Sequence, residues 1–69
     1  MEPRTVKHAL QPLWDSKTTA EYLRIPAGTL DQWAHRGGGP PFSKIGKHRR
    51  YDPRKVQAFV EANERGASA

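Results

Sequence analysis

The sequence predicts a small, mainly α domain: three short helices, with a two-stranded β-hairpin set between the second and the third. Three observations carry this. Two amphipathic stripes are separated by a single proline, a Gly37-Gly38-Gly39-Pro40-Pro41 break follows the second stripe, and an Asp52-Pro53 pair opens a third. With 69 residues and no cysteine, the chain has room for one thin core, worth roughly 3 to 5 kcal/mol. It has no means to build a disulfide framework or a cysteine-ligated metal site.

Residues 1–12 carry scattered charges and two prolines with no apolar period, so a flexible arm is expected there and the domain proper over 13–63. Asp15 reads as the N-cap of a first helix, Ser16 to Leu23, because its carboxylate can accept an otherwise unpaired backbone N–H of the first turn. Thr19, Ala20 and Leu23 share the inner face of that helix, with Trp14 packing back over its start. Pro26 cannot sit inside a helix and pushes Ile25 toward an extended conformation, so the chain turns at Arg24-Ile25-Pro26. From Ala27 to Arg36 a second helix follows, with Leu30, Trp33 and Ala34 as its apolar stripe and Gly28, Asp31, Gln32 and His35 on the other side. After the glycine–proline break, Phe42–Ile45 and Arg49–Tyr51 read as strands around a turn at Gly46-Lys47-His48. Asp52 as cap and Pro53 as first helical residue start a third helix, whose stripe is Val56, Phe59, Val60 and Asn63. Residues 64–69 read as a flexible tail.

Twelve Lys and Arg against seven Asp and Glu give a net charge of +5. Seven of these cations and a single acid lie between Arg36 and Lys55, so that segment nets +6 and the remaining chain −1. A basic segment folded as strand, turn and strand points to a polyanionic partner. Two helices joined by a tight turn leave the outer face of the second free to enter a major groove roughly 12 Å wide, and a cationic hairpin beside it can reach the phosphate backbone or the adjoining minor groove. That order is a winged helix-turn-helix.

The run LWDSKTTAEYLRIPAGTLDQWAHRG, followed by PPFSKIGKHRRYDPRKVQAFV, resembles the short MerR-like winged-helix proteins that include phage excisionases, or recombination directionality factors, of the mycobacteriophage type. The resemblance spans about Leu13 to Asn63. It rests on Ala20 and Leu23, on Leu30 and Trp33, and on the segment from Ile45 to Tyr51 that leads into Asp52-Pro53. It implies a DNA-binding protein whose second helix enters the major groove and whose wing grips the minor groove. It also implies that copies sit side by side on bent DNA and that a phage integrase is the partner directed toward excision. One departure is Pro26, where the family has Ser or Thr: the capping oxygen is missing, and the second helix is expected to be less firmly held at its start.

The candidate DNA-binding residues are Ala27, Gly28 and Thr29 at the start of the second helix, Gln32, His35 and Arg36 further along it, and Lys44, Lys47, His48, Arg49 and Arg50 on the wing. Gln32 can pair with adenine through two hydrogen bonds, and His35 can meet a base edge or a phosphate. Asp31, on the same face, repels phosphate unless it sits at the rim or accepts from a cytosine amino group. Strand alternation sends one of Arg49 and Arg50 outward and lays the other over the sheet. Arg54 and Lys55 oppose the dipole of the third helix, which invites a partner such as DNA. Trp14 and Trp33 read as core rather than base-stacking residues.

Other chemistries find no support. His8, His35 and His48 lack metal-ligand spacing, the glycine–proline loop lacks the Gly-Lys-Ser/Thr of a phosphate cradle, and no nucleophile–base set suits so small a chain. No cofactor and no catalysis are therefore expected. The segment MEPRTVKHAL lacks a signal-peptide core and no apolar run approaches the roughly 18 residues of a membrane span. A cytoplasmic protein without membrane contact is expected, and the resemblance implies association with the nucleoid of a bacterial host when bound. Two rivals remain: a small MerR-like transcriptional regulator, disfavoured by the lack of a dimerisation segment after the third helix, and a basic module that docks an acidic protein.

Overall fold

A computed structural model describes residues 12–66; most of the expected arm, the end of the tail and His8 lie outside them. The elements are α1 (Ser16–Leu23), α2 (Ala27–Arg36), β1 (Ser43–Ile45), β2 (His48–Arg50) and α3 (Pro53–Ala62), the mainly helical winged arrangement expected. No helix among the described residues is long and apolar enough to cross a membrane.

Asp15 caps α1, its Oδ1 accepting from the Thr18 N–H at 2.7 Å. Thr19 is buried, and its hydroxyl donates to the Asp15 carbonyl at 2.8 Å, so the polar atom goes inside with a partner. The helix ends at Arg24, which adopts the left-handed conformation at φ 61°. Arg24 N–H then bonds the Glu21 carbonyl and Ile25 N–H the Ala20 carbonyl. These two bonds close the last turn and aim Ile25 at the core before Pro26 redirects the chain.

The start of α2 has no side-chain capping bond, as Pro26 implies. The Pro26 carbonyl takes the N–H groups of Thr29 and Leu30 at 3.0 and 3.3 Å instead. Beyond the left-handed cap at Gly37, Gly39 crosses the Trp33 indole at φ 79°; a Cβ there would lie 2.8 Å from Trp33 Cε3. Both the close approach and the positive φ demand glycine.

The hairpin is antiparallel and pairs Ser43 with Arg50, Lys44 with Arg49 and Ile45 with His48. Its strands differ from the expected ones: β1 begins at Ser43 rather than Phe42, and β2 covers His48–Arg50 rather than Arg49–Tyr51. The turn has two residues, Gly46 and Lys47, and only Gly46 has positive φ, at 63°. This matches the tight turn that takes glycine first and suits the twist of the strands. Tyr51 leaves the hairpin to pair with Trp14, each N–H bonding the other's carbonyl at 2.8 Å. The residue ahead of α1 is thereby fastened to the base of the wing.

Ala20, Leu30, Tyr51 and Val56 form the core, with Trp14, Leu23, Ile25 and Trp33 packed against it. Trp14 meets Tyr22, ring centroids 5.1 Å apart, and Trp33 meets Phe59 at 5.9 Å. Val60 departs from its expected core position. It is exposed and borders an open apolar groove with Leu23, Ile25, Trp33 and Phe59 that none of the described residues closes.

At α3, Asp52 Oδ1 accepts from the Arg54 N–H at 2.9 Å and Pro53 is buried as the first helical residue. The backbone N–H bonds of Thr18 and Arg54 hold the carboxyls of Asp15 and Asp52 below the ordinary range. A carboxyl with a lowered folded-state pKa stabilises above its unfolded pKa and loses that contribution as pH falls through the folded value. The melting midpoint is expected to be flat from about pH 7 to 5 and to fall below about pH 4. Replacing both aspartates by asparagine, which still caps, should flatten the fall in circular-dichroism melts. An unchanged acid limb would show that other groups control it.

Candidate nucleic-acid interface

Side chains alternate across a strand, so the pairing register sorts the wing into two faces. Phe42, Lys44, Arg49 and Tyr51 lie on the inner face, where Tyr51 is buried and Phe42 meets it at 5.7 Å between ring centroids. Ser43, Ile45, His48 and Arg50 lie on the outer face, and Leu13 joins Ile45, His48 and Arg50 there. Arg49 and Arg50 thus leave the strand from opposite faces, as alternation requires, yet both side chains border the concavity between the wing and α2. On α2, the helical repeat gathers Ala27, Gly28, Asp31, Gln32 and His35 within about 140° of arc, with Thr29 and Arg36 at its margin toward Trp33. Ala27, Gly28, Gln32, His35 and Arg36 are exposed, whereas Thr29 is half-buried.

The wing and α2 face one another across an open concavity of about 610 Å³. His35 lines it from α2, and Lys44, Lys47, His48, Arg49 and Arg50 line it from the wing. Six of the eleven candidate residues therefore share one surface. Ala27, Gly28 and Thr29 stand at the other end of α2, and Gln32 is set on its exposed side beside Asp31. Ala34 also lines the concavity, although its spacing with Leu30 and Trp33 placed it in the apolar stripe. It sits at the stripe's edge.

Arg49 is the most engaged of these cations. Its Nη2 donates to Ser16 Oγ at 3.0 Å and forms an ion pair with Asp31 Oδ1, while its guanidinium lies 5.7 Å from the centre of the Phe42 ring. Burial works against the charge and is the largest single influence, but the bond to Asp31 and the interaction with Tyr51 together outweigh it and raise the pKa above the ordinary value. Arg50 donates from Nη1 to the Arg49 carbonyl at 2.9 Å. Lys44, Lys47 and His48 are exposed. Lys44 and Lys47 present their charge to solvent, and the two-residue turn holds Lys47 in place at the tip.

Sequence reasoning missed Ser16 and Lys17, which bring the start of α1 to the same concavity. Lys17 was invisible because the Trp14–Tyr51 bridge that swings α1 beside the wing joins residues far apart in sequence. Asp31 did carry a signal, a carboxylate on a face expected to meet phosphate, and its partner is Arg49. For Arg54 the non-local explanation is unnecessary, since its side chain pairs with Asp52 at 3.4 Å.

A family model described as a helix-turn-helix domain matches residues 15–64, most of the chain and every element of the fold. No curated protein and no solved structure matches.

Proposed function

The chain belongs to the helix-turn-helix domain family, and from that footing we propose that it is a phage excisionase-type protein that binds attachment-site DNA in neighbouring copies, bends it and directs an integrase toward excision. The family includes excisionase-like and MerR-like small DNA-binding domains. The observation that supports this most is the concavity that sets His35, near the C-terminal end of α2, beside a cationic wing. In this scheme α2 lies in the major groove, with Gln32 and His35 at base edges and the free N–H groups around Ala27, Gly28 and Thr29 at a phosphate. Lys17, Arg36, Lys44, Lys47 and Arg50 meet phosphates, and His48 at the wing tip reaches toward the minor groove.

Two base readers discriminate weakly. Specificity then comes from repeated sites occupied together, each copy adding to the bend. The protein acts in the cytoplasm of the bacterial host. Deleting the gene from a lysogen should abolish prophage excision and leave transcript levels near the attachment site unaltered. Normal excision with altered transcripts would assign the same DNA face to a transcriptional regulator.

A further inference from the structure

We propose that Asp31 and Arg49 form a clasp that sets the angle between α2 and the wing, which makes Arg49 a positioning residue for the DNA face rather than a phosphate contact. The inference rests on the DNA-binding function proposed above.

Asp31 is an exposed carboxylate on the face of α2 offered to a polyanion, where an unpaired negative charge repels phosphate. It is paired instead: Arg49 Nη2 holds its Oδ1, and the same nitrogen donates to Ser16 Oγ, so one guanidinium joins α1, α2 and β2. No other hydrogen bond or ion pair among the described residues joins the hairpin to α2. The Arg49 side chain is only 18% exposed and lies over Phe42, although its buried Nε has no hydrogen-bond partner among the described residues. Drawing it out to a phosphate would forfeit that packing and leave Asp31 bare against the duplex. Lys44 sits directly across the ladder from Arg49, a like-charge pairing that is unfavourable by itself. Asp31 offsets it, so the clasp also lets Lys44 be presented next to a second cation.

The two roles for Arg49 give opposite signs for Asp31→Asn, a change on an exposed side chain that keeps its size. Affinity for a labelled mixed-sequence duplex is measured by fluorescence anisotropy across a salt series, for Asp31→Asn, Arg49→Gln and the double variant. With a clasp, each single variant binds about tenfold more weakly and the double no worse than either, because both break one contact. Arg49→Gln and Asp31→Asn share one salt slope, because the same contact is broken in both. Lys47→Ala costs less affinity in the Asp31→Asn background than in the wild type, since an unclasped wing no longer holds Lys47 to the backbone; a role in stability alone would leave that cost unchanged. Unchanged or tighter binding by Asp31→Asn overturns the clasp, as does a slope shallower by about 0.9 in Arg49→Gln than in Asp31→Asn, the loss of one phosphate contact made by Arg49 itself. Absence of salt-dependent binding by the wild type would overturn the DNA-binding function itself, a result distinct from either.

Discussion

Leu30→Ala is expected to leave much of the protein unfolded at physiological temperature. Leu30 is 1% exposed and joins Ala20, Tyr51 and Val56, so it is the residue through which α2 enters the common core. Truncating a buried leucine costs about 2 to 5 kcal/mol, because the neighbours cannot close over the lost volume. A core of this size supplies only roughly 3 to 5 kcal/mol in total. The melting midpoint should fall by about 10 to 30 °C, given a few degrees per kcal/mol in a domain this small. Ile45→Ala is the control. Ile45 is 54% exposed on the outer face of the wing, and its loss should change stability by no more than about 0.5 kcal/mol. Similar midpoints for the two variants would mean that α2 is not anchored through Leu30.

What was legible in the sequence was local. Asp15, Pro26, Gly37 and the Asp52-Pro53 pair act on backbone groups within one turn of themselves, and the helices begin and end where they indicate. Strand limits were less legible because Tyr51 has two possible partners, β1 across the hairpin and Trp14 from the far end of the domain; composition cannot choose between them. The same bridge brings Lys17 and Ser16 to the interface. Periodicity also overstated the apolar stripe of α3, since Val60 has the right spacing but no described neighbour that covers it.

For the site, residue type and charge clustering drew attention to the wing, and alternation separated Arg49 from Arg50. Neither could show that Arg49 is committed to Asp31, because an ion pair across eighteen positions depends on how the wing folds back on α2. The awkward placement of Asp31 was the available clue. An acid on an anion-seeking face asks for an internal partner, and Arg49 was within the set of candidates.

The second large effect is electrostatic. If Lys17, Arg36, Lys44, Lys47 and Arg50 each neutralise one phosphate, about five counterions leave the duplex and log K should fall against log salt with a slope near −4.5. Raising salt from about 50 to 200 mM then weakens binding about 500-fold. A double Lys44→Ala/Lys47→Ala variant removes two exposed charges of the wing, leaves the core intact and keeps both partners of the Asp31–Arg49 clasp, relieving only the like-charge pairing of Lys44 with Arg49. Its slope should relax to about −2.7. Substitutions on the exposed side of α3, such as Gln57→Ala, should leave the slope as it was.

The decisive measurement is therefore the salt slope of duplex binding for the wild type and the Lys44→Ala/Lys47→Ala variant, taken side by side. Slopes near −4.5 and −2.7 are expected if α2 and the wing grip one duplex together. A wild-type slope near zero, or one that the two substitutions leave unchanged, would contradict a DNA face built from the wing.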